Sequence, residues 1–447
     1  MRVFNIPASA SFLPCAIDAL LSGRLIASFV PRDNPALLAK ATLYLPTQRA
    51  CRAAREVFLD QLGGEAAILP RIIALGNLDE DEIDFAQAAS GAESLELPPA
   101  MGAFARRLVL TRLVHQWARE SAKQNRDEAL VVTGANSAIG LADDLARFID
   151  DMITREIDWS RLDRLVPEEH SAYWQTTLSF INDILRNWWP QILHERGLIE
   201  ATLRRDRLIA AECERLTHHH DGPIIAAGST GSMPATAKFL HAIARLKNGA
   251  VILPGLDRHL DEASWEAIAH VTSDDGAATP SAAFSHPQFS LRGLLSRFNI
   301  TRDDVRDLAP PDMEGRECLT SETFRPASTT HLWHAELQKA DVATSIAQGL
   351  KGISIISAAN AEDESLAIAA ALREAHHFER TAMLVTPDRA LARRVIAALG
   401  RWNIEADDSG GDDVMETAAG RFALLSAQAA LSGLQPSVLL ALLKHPL

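Results

Sequence analysis

The sequence predicts an α/β protein with two parallel-sheet domains and a large all-helical insertion in the first. Three observations carry this. The run from Asp221 to Asp257 begins with Pro223 to Ala227, apolar without polar alternation and bounded by glycines, the pattern of a strand buried on both faces. The loop GSTGS follows, then Pro234 at a first helical turn and Ala237, Leu240, Ile243, Ala244 and Leu246 at helical spacing. Asn248-Gly249 stops that helix, and Ala250 to Leu253, closed by Pro254-Gly255, reads as the next strand. The second observation is a stripe of Trp174, Leu178, Ile181, Leu185 and Trp188 at i, i+4, i+7, i+11 and i+14, which marks a helical core. The third is an echo between TLYLPTQRACRAAR and TAMLVTPDRALARR, each an apolar strand, a Thr/Pro turn and an arginine-bearing helix. It suggests two related α/β units.

Taken in order, Arg2 to Ile6 is an expected strand, and the loop PASASFLP leads to a helix with Ala16, Ile17, Leu20 and Leu21 on one face. A phosphate-wrapping loop needs glycine for close backbone approach and lysine for charge. This loop has neither, so an ATP site here is not expected. Thr42 to Leu45 is the next strand, followed by a helix to about Leu62 on which Arg49, Arg52 and Arg55 share one side. The acidic stretch 78–97 reads as a connection. Met101, Phe104, Leu108, Val114, Leu141, Leu145, Phe148, Ile149 and Met152 open the helical region. Its tryptophans fit core packing better than base stacking, and its clusters Arg106, Arg107, Arg112 and Arg204, Arg205, Arg207 fit a salt-bridged surface. His218, His219 and His220 with Asp221 are adjacent, so they cannot converge on one ion and read as a polar helix end.

Beyond Asp257 a mixed segment runs to about Arg325, with Leu291, Leu294, Leu295 and Phe298 making a helix that ends at Asn299. A second series follows: a helical pattern from Ala335 to Leu350, strands at Gly352 to Ser357, Ala382 to Val385 and Ile404 to Ala406, and helices starting after Asn360 and at Arg389. Glu362, Asp363 and Glu364 favour a helix N-terminus through its dipole.

The chain has 447 residues, 47% of them hydrophobic, and a formal charge of −14. That charge opposes indiscriminate binding of polyanions, so nucleic acid would have to meet local basic patches. Cys15, Cys51, Cys213 and Cys318 are scattered without metal spacing and read as reduced thiols. No export signal and no apolar run of about 18 residues is evident, so the expectation is a cytoplasmic protein off the membrane.

LYLPTQRACRAAR, AAGSTGSMPATAKFLHAIARLKNGAVILPGLD, HPQFSLRGLL, TAMLVTPDRALARRVIAALGRWNIEADDSG and LLKHPL resemble, in order along nearly the whole chain, the alphaproteobacterial AddB family. AddB is a subunit of the AddAB helicase–nuclease that processes double-strand DNA breaks for recombinational repair. The resemblance implies two superfamily-1 helicase-like (RecA-like) domains: residues 1–97 with 216–325, interrupted by a helical insertion 98–215, and the start of a second domain at 326–447. It implies a degenerate ATP site, because PASASFLP replaces the lysine loop and Thr386-Pro387 stands where an ATP-contacting arginine is common. ATP hydrolysis would fall to the partner AddA. A C-terminal nuclease domain with a 4Fe-4S cluster and magnesium belongs to the family pattern. No cysteine cluster or nuclease pattern occurs here, so the chain reads as an N-terminal portion without a catalytic residue, metal or cofactor. DNA contacts are then expected at Thr47, Gln48 and Arg49, at Ser229, Thr230 and Ser232, and at Arg389. Two alternatives remain: a nucleotide-dependent enzyme using Gly228 to Ser232, and a structural scaffold for the partner.

Overall fold

The computed structural model describes residues 1–63, 68–75, 97–124, 135–164, 178–218, 222–269, 271–272, 278–279, 283–411, 413–433 and 435–447. They form two compact units, Met1–Lys351 and Gly352–Leu447.

The first unit is organised on β1 (Val3–Ile6), β2 (Thr42–Leu45), β3 (Arg71–Ala74), β4 (Ile224–Ala227) and β5 (Gly249–Pro254). With the later β8 (Arg306–Asp307) they make a six-stranded sheet in the order β3-β2-β4-β5-β1-β8, parallel at every pairing. Side chains alternate between faces. Tyr44, Ile224, Ala226, Val251 and Leu253 enter one core, whereas Leu43, Leu45, Ile225, Ala227 and Ile252 enter the other. Helices α1 (Phe12–Leu21) and α2 (Gln48–Gln61) cover the second face with Ile17, Leu21, Ala54 and Phe58. Both faces are therefore dry, which is why these strands are apolar throughout rather than alternating.

A helical block of α3 (Ala103–Gln124), α4 (Ala135–Thr154), a π-helical turn Asn182–Trp188 and α5 (Trp189–Glu195) has its own core. Ile181, Leu185, Trp117 and Trp189 are buried in it, with Leu178 and Trp188 packed at its margin. The expected stripe is thus a core stripe, apart from Trp174, which lies outside the described residues. The Trp189 indole N–H donates to Glu200 Oε1 at 2.6 Å, and the Arg106 guanidinium donates to both Asp150 oxygens at 2.9 and 3.1 Å. Arg107 pairs with Asp143 and Arg205 with Asp206. Three of the six clustered arginines, Arg106, Arg107 and Arg205, thus end in ion pairs, and Arg204 donates to the Pro98 carbonyl at 3.0 Å.

Helix α6 (Ala201–His218) returns the chain to the sheet, where Tyr44 donates its hydroxyl to Glu212 and Arg215 grips the same carboxylate with two 2.7 Å bonds. Residues His219, His220 and Asp221 and most of the acidic connection 78–97 fall outside the described residues. Helix α7 (Pro234–Arg245) starts at Pro234 as expected, α8 (Glu262–Ala267) follows, and β6 (Val271–Thr272) pairs with β7 (Ala278–Thr279). Helix α9 (Phe289–Phe298) packs on the first core and ends at Asn299 with φ 54°, the left-handed cap that asparagine tolerates.

The first unit extends past the expected boundary at 325. After α10 (Glu314–Thr323) and a short α11 (Trp333–Leu337), α12 (Ala340–Gly349) packs directly on α10. Gly315 and Gly349 permit that crossing: a Cβ at Gly315 would lie 2.5 Å from the Ser345 carbonyl oxygen, and one at Gly349 would strike the Gly315 carbonyl oxygen. Arg316 then donates to the Gly349 and Lys351 carbonyls at 2.6 and 2.7 Å.

In the second unit, α13 (Ala361–His377) and α14 (Arg389–Gly400) pair around Ala369, Leu391, Val395 and Leu399. Asn360 caps α13, its side-chain oxygen accepting from the Glu362 and Asp363 N–H groups at 3.0 and 2.9 Å. Helices α15 (Ala418–Ser432) and α16 (Pro436–Leu443) complete it. The strands expected at 352–357, 382–385 and 404–406 are not formed among the described residues. Those segments run without a ladder partner and leave Ile355, Met383 and Val385 92%, 82% and 80% exposed. Local β preference alone does not make a strand; a paired neighbour does.

Gly315→Leu should break the α10–α12 crossing, because the clash is with backbone that cannot rotate away. The expected loss is on the order of 3 kcal/mol, read as a lower urea midpoint; an unchanged midpoint would show that the helices part easily.

Candidate functional site

A parallel sheet sends all its carboxyl ends to one edge, where ligands of open α/β folds bind. Here that edge carries the turns after β1, β2, β4 and β5. Gly228 (φ 80°) brings three of them together, since a Cβ there would sit 3.1 Å from the Phe12 ring and 3.5 Å from Pro46. Asn5, fully buried on β1, secures the other side: its Nδ2 donates to Asp307 Oδ1 at 2.7 Å and its Oδ1 accepts from the Leu256 N–H at 2.8 Å.

The turn after β1 is where a phosphate loop would cradle an anion. Its anion position is already filled by a side chain. Ser9 donates through its backbone N–H at 2.8 Å and its hydroxyl at 2.6 Å to Glu317 Oε1 of α10, and the Met313 N–H donates to Ser9 Oγ at 3.1 Å. A phosphate brought to about 4 Å from that carboxylate would meet repulsion on the order of 4 kcal/mol per charge pair near a protein surface. The missing glycine and lysine thus have a structural counterpart, a resident carboxylate.

Beside Ser9 lies a cavity of about 370 Å³. Its walls come from Ala8, from Leu256 after β5, from His286 and Pro287 before α9, and from Met313 and Phe324 around α10. The polar groups around it are largely committed. Asp257 accepts from the His259 and Leu260 N–H groups, and Gln288 donates to the Gly255 carbonyl at 2.9 Å while accepting from the Asp257 N–H at 3.1 Å. Burial lowers the His286 pKa, and its Nδ1 accepts from the Gln288 N–H at 3.1 Å, which puts the ring proton on Nε2.

The structure distributes the residues expected to touch DNA unevenly. Thr47 is the α2 cap, its hydroxyl accepting from the Ala50 N–H at 3.1 Å. Gln48, Arg49, Arg52 and Arg55 are exposed on α2, and the three arginines form no ion pair among the described residues. Ser229 accepts from the Gly231 N–H at 3.3 Å, Thr230 is half-buried and Ser232 is exposed. These loops share the sheet edge. Arg389 belongs to the second unit, where its guanidinium grips both Asp408 oxygens at 2.9 and 2.6 Å and the Gly411 carbonyl at 2.9 Å. It is engaged within its own unit rather than presented for phosphate. Glu317 and Asn5 carry no motif that sequence reading would single out, and His286 opens the HPQFSLRGLL stretch without being expected at a site.

Among the described residues no group of three or more His, Cys, Asp or Glu side chains could hold a metal, and no helix is long and apolar enough to cross a membrane. All four cysteines are free, and burial pushes the Cys213 thiol up to about 12. No protein-family model matches the chain, and no curated protein matches it.

The Arg389 fork holds the Asp408 carboxyl down from 3.8 to about 2. The pair therefore stabilises the folded second unit fully above the unfolded carboxyl's titration near pH 4 and loses that contribution as pH falls towards 2. Carboxyl NMR titration should place Asp408 near 2 and Arg389→Ala should return it towards 3.8; an ordinary value in the intact chain would contradict the ion pair.

Proposed function

We propose that the chain is an ATP-inactive, helicase-like module of AddB type that holds a DNA strand in the cytoplasm while the partner AddA hydrolyses ATP. The observation that carries the proposal is the Glu317 carboxylate seated on Ser9. A helicase-like sheet whose nucleotide position is filled by an anion cannot use that position for a triphosphate, and its neighbouring loops remain as the working surface. The strand order supports the same assignment. Strand β1 lies inside the sheet between β5 and β8, so the Ser9 turn is at the crevice of an open parallel sheet.

Phosphate contact falls to α2. Arg49, Arg52 and Arg55 recur every three residues on the exposed side of a helix that starts at the sheet edge, and they make no ion pair among the described residues although Glu56 and Asp60 lie on the same helix. In a chain of charge −14 such a stripe is a local exception, and long-range repulsion is screened within about 8 Å at physiological salt. Ser232 and the loop amides around it would add hydrogen bonds to the backbone. Sequence-independent contact with one strand fits this chemistry better than base reading.

Fluorescence anisotropy with a labelled single-stranded oligonucleotide should show binding that weakens with salt. Replacing Arg49, Arg52 and Arg55 by alanine should flatten the log–log salt slope by about 2, at ~0.7 per lost phosphate contact. Calorimetry with MgATP should give no saturable heat. Heat of ATP binding abolished by Gly228→Val would support the nucleotide-enzyme alternative, and absence of DNA binding at low salt, alone and with AddA, would overturn DNA engagement.

A further inference from the structure

The cavity beside Ser9 has a character that phosphate chemistry does not explain. Leu256 is buried in its floor, while Phe324 and Met313 stand 51% and 50% exposed at its rim, offering a flat ring and a polarizable thioether. Charged groups on its wall are already hydrogen-bonded within the protein: Glu317 by Ser9, Asp257 by two backbone N–H groups, Arg316 by the Gly349 and Lys351 carbonyls, and Arg258 by the Val305 carbonyl. Three buried polar atoms on lining residues have no hydrogen-bond partner, Arg258 Nε, His286 Nε2 and the Ser321 hydroxyl, and only the last belongs to α10. Ser321 is 5% exposed, lines the cavity, and its hydroxyl has no hydrogen-bond partner. A buried hydroxyl without a partner is costly and rare in a folded protein, so it points to a ligand atom.

Size and chemistry narrow the ligand. A volume of about 370 Å³ lies at the lower end of small-molecule sites. Apolar walls with one free hydroxyl and an imidazole select a compact, neutral molecule with a polar edge. The rim favours a planar ring, and the Glu317 carboxylate rejects an attached phosphate at that end. We propose that this cavity binds the neutral heteroaromatic ring of a nucleobase, the ring resting on the apolar wall and its polar edge meeting Ser321. The ring could arrive as a free nucleoside or as a base everted from a bound strand. Only the second source rests on the function proposed above.

Saturation-transfer NMR on the full chain, using adenosine, guanosine, cytidine and thymidine and then the matching 5′-triphosphates, tests the site directly. At least one nucleoside should bind saturably, and its triphosphate should bind on the order of 1,000-fold more weakly, the factor that corresponds to one charge pair at about 4 Å near a protein surface. Thr320→Trp, at an exposed cavity residue of α10, should abolish nucleoside binding by blocking the cavity. Ser321→Ala should weaken it roughly fivefold, the worth of one hydrogen bond. An oligonucleotide carrying 2-aminopurine supplies the other arm. Its fluorescence should change on binding to the native chain but not to Thr320→Trp, although both should bind the strand with equal affinity through α2. Nucleoside binding without DNA binding would keep the cavity and remove its everted-base source. DNA binding with no nucleoside bound, or nucleoside binding unaffected by Thr320→Trp, would overturn the site while leaving the strand-holding function intact.

Discussion

The interaction on which the functional edge depends is the contact between Ser9 and Glu317. Parallel sheets create an anion-attracting environment at their carboxyl edge, because turn amides and helix N-termini gather there with their N–H groups unsatisfied. Something must satisfy them. In this chain the donors at Ser9 are matched by a carboxylate from α10, at hydrogen-bond distances of 2.8 and 2.6 Å. The negative charge that the fold invites is supplied by the protein itself, and a mobile polyphosphate has to compete with a tethered group that loses no translational freedom on binding.

The rest of the charge distribution is consistent with that arrangement. Most arginines that face the helical block or the loops around β5 end on carboxylates or carbonyls: Arg106 on Asp150, Arg258 on the Val305 carbonyl, Arg292 on Glu266, Arg302 on Glu262. Trp265 lies beneath two of them, with the Arg302 guanidinium 4.6 Å and that of Arg292 5.7 Å from its ring. These cations hold the protein together and are not available to a ligand. Against that background, the arginines of α2 differ in kind, not only in position, because their side chains are exposed and make no ion pair among the described residues.

Much of the first sheet was legible in the sequence because burial on both faces writes itself as unbroken apolar runs. Thr42–Leu45 coincides with its expected limits, and β1, β4 and β5 differ only at their ends. Strand β3 starts with an arginine, and β8 consists of two exposed polar residues held by backbone pairing and by the Asn5 and Arg258 side chains on Asp307, so neither carries that signature. In the second unit the reverse holds: Ile355, Met383 and Val385 have the composition of strands but no ladder. The pairing partner of a strand is a non-local fact, and a one-dimensional pattern does not contain it. The same limit hid Glu317, which lies 308 positions from the residue it serves. The absence of glycine and lysine after β1 was readable; what occupies the space was not.

Helix α10 connects these features into one structural event. Its N-terminal turn is locked on α12 through Gly315 and Arg316. Just past its other end the fully buried Arg325 guanidinium pairs with Glu322 at 2.7 Å and donates to Ser264 Oγ, also at 2.7 Å, which fixes it to the start of α8. Held at both ends, α10 can present Glu317 to Ser9 and, one turn later, Ser321 to the cavity. Residues four apart on a helix lie on the same face, so a helix placed to close the anion seat necessarily brings the Ser321 face to the space next to it. The carboxylate seated on Ser9 and the cavity beside it are therefore two consequences of docking a single helix against the end of β1.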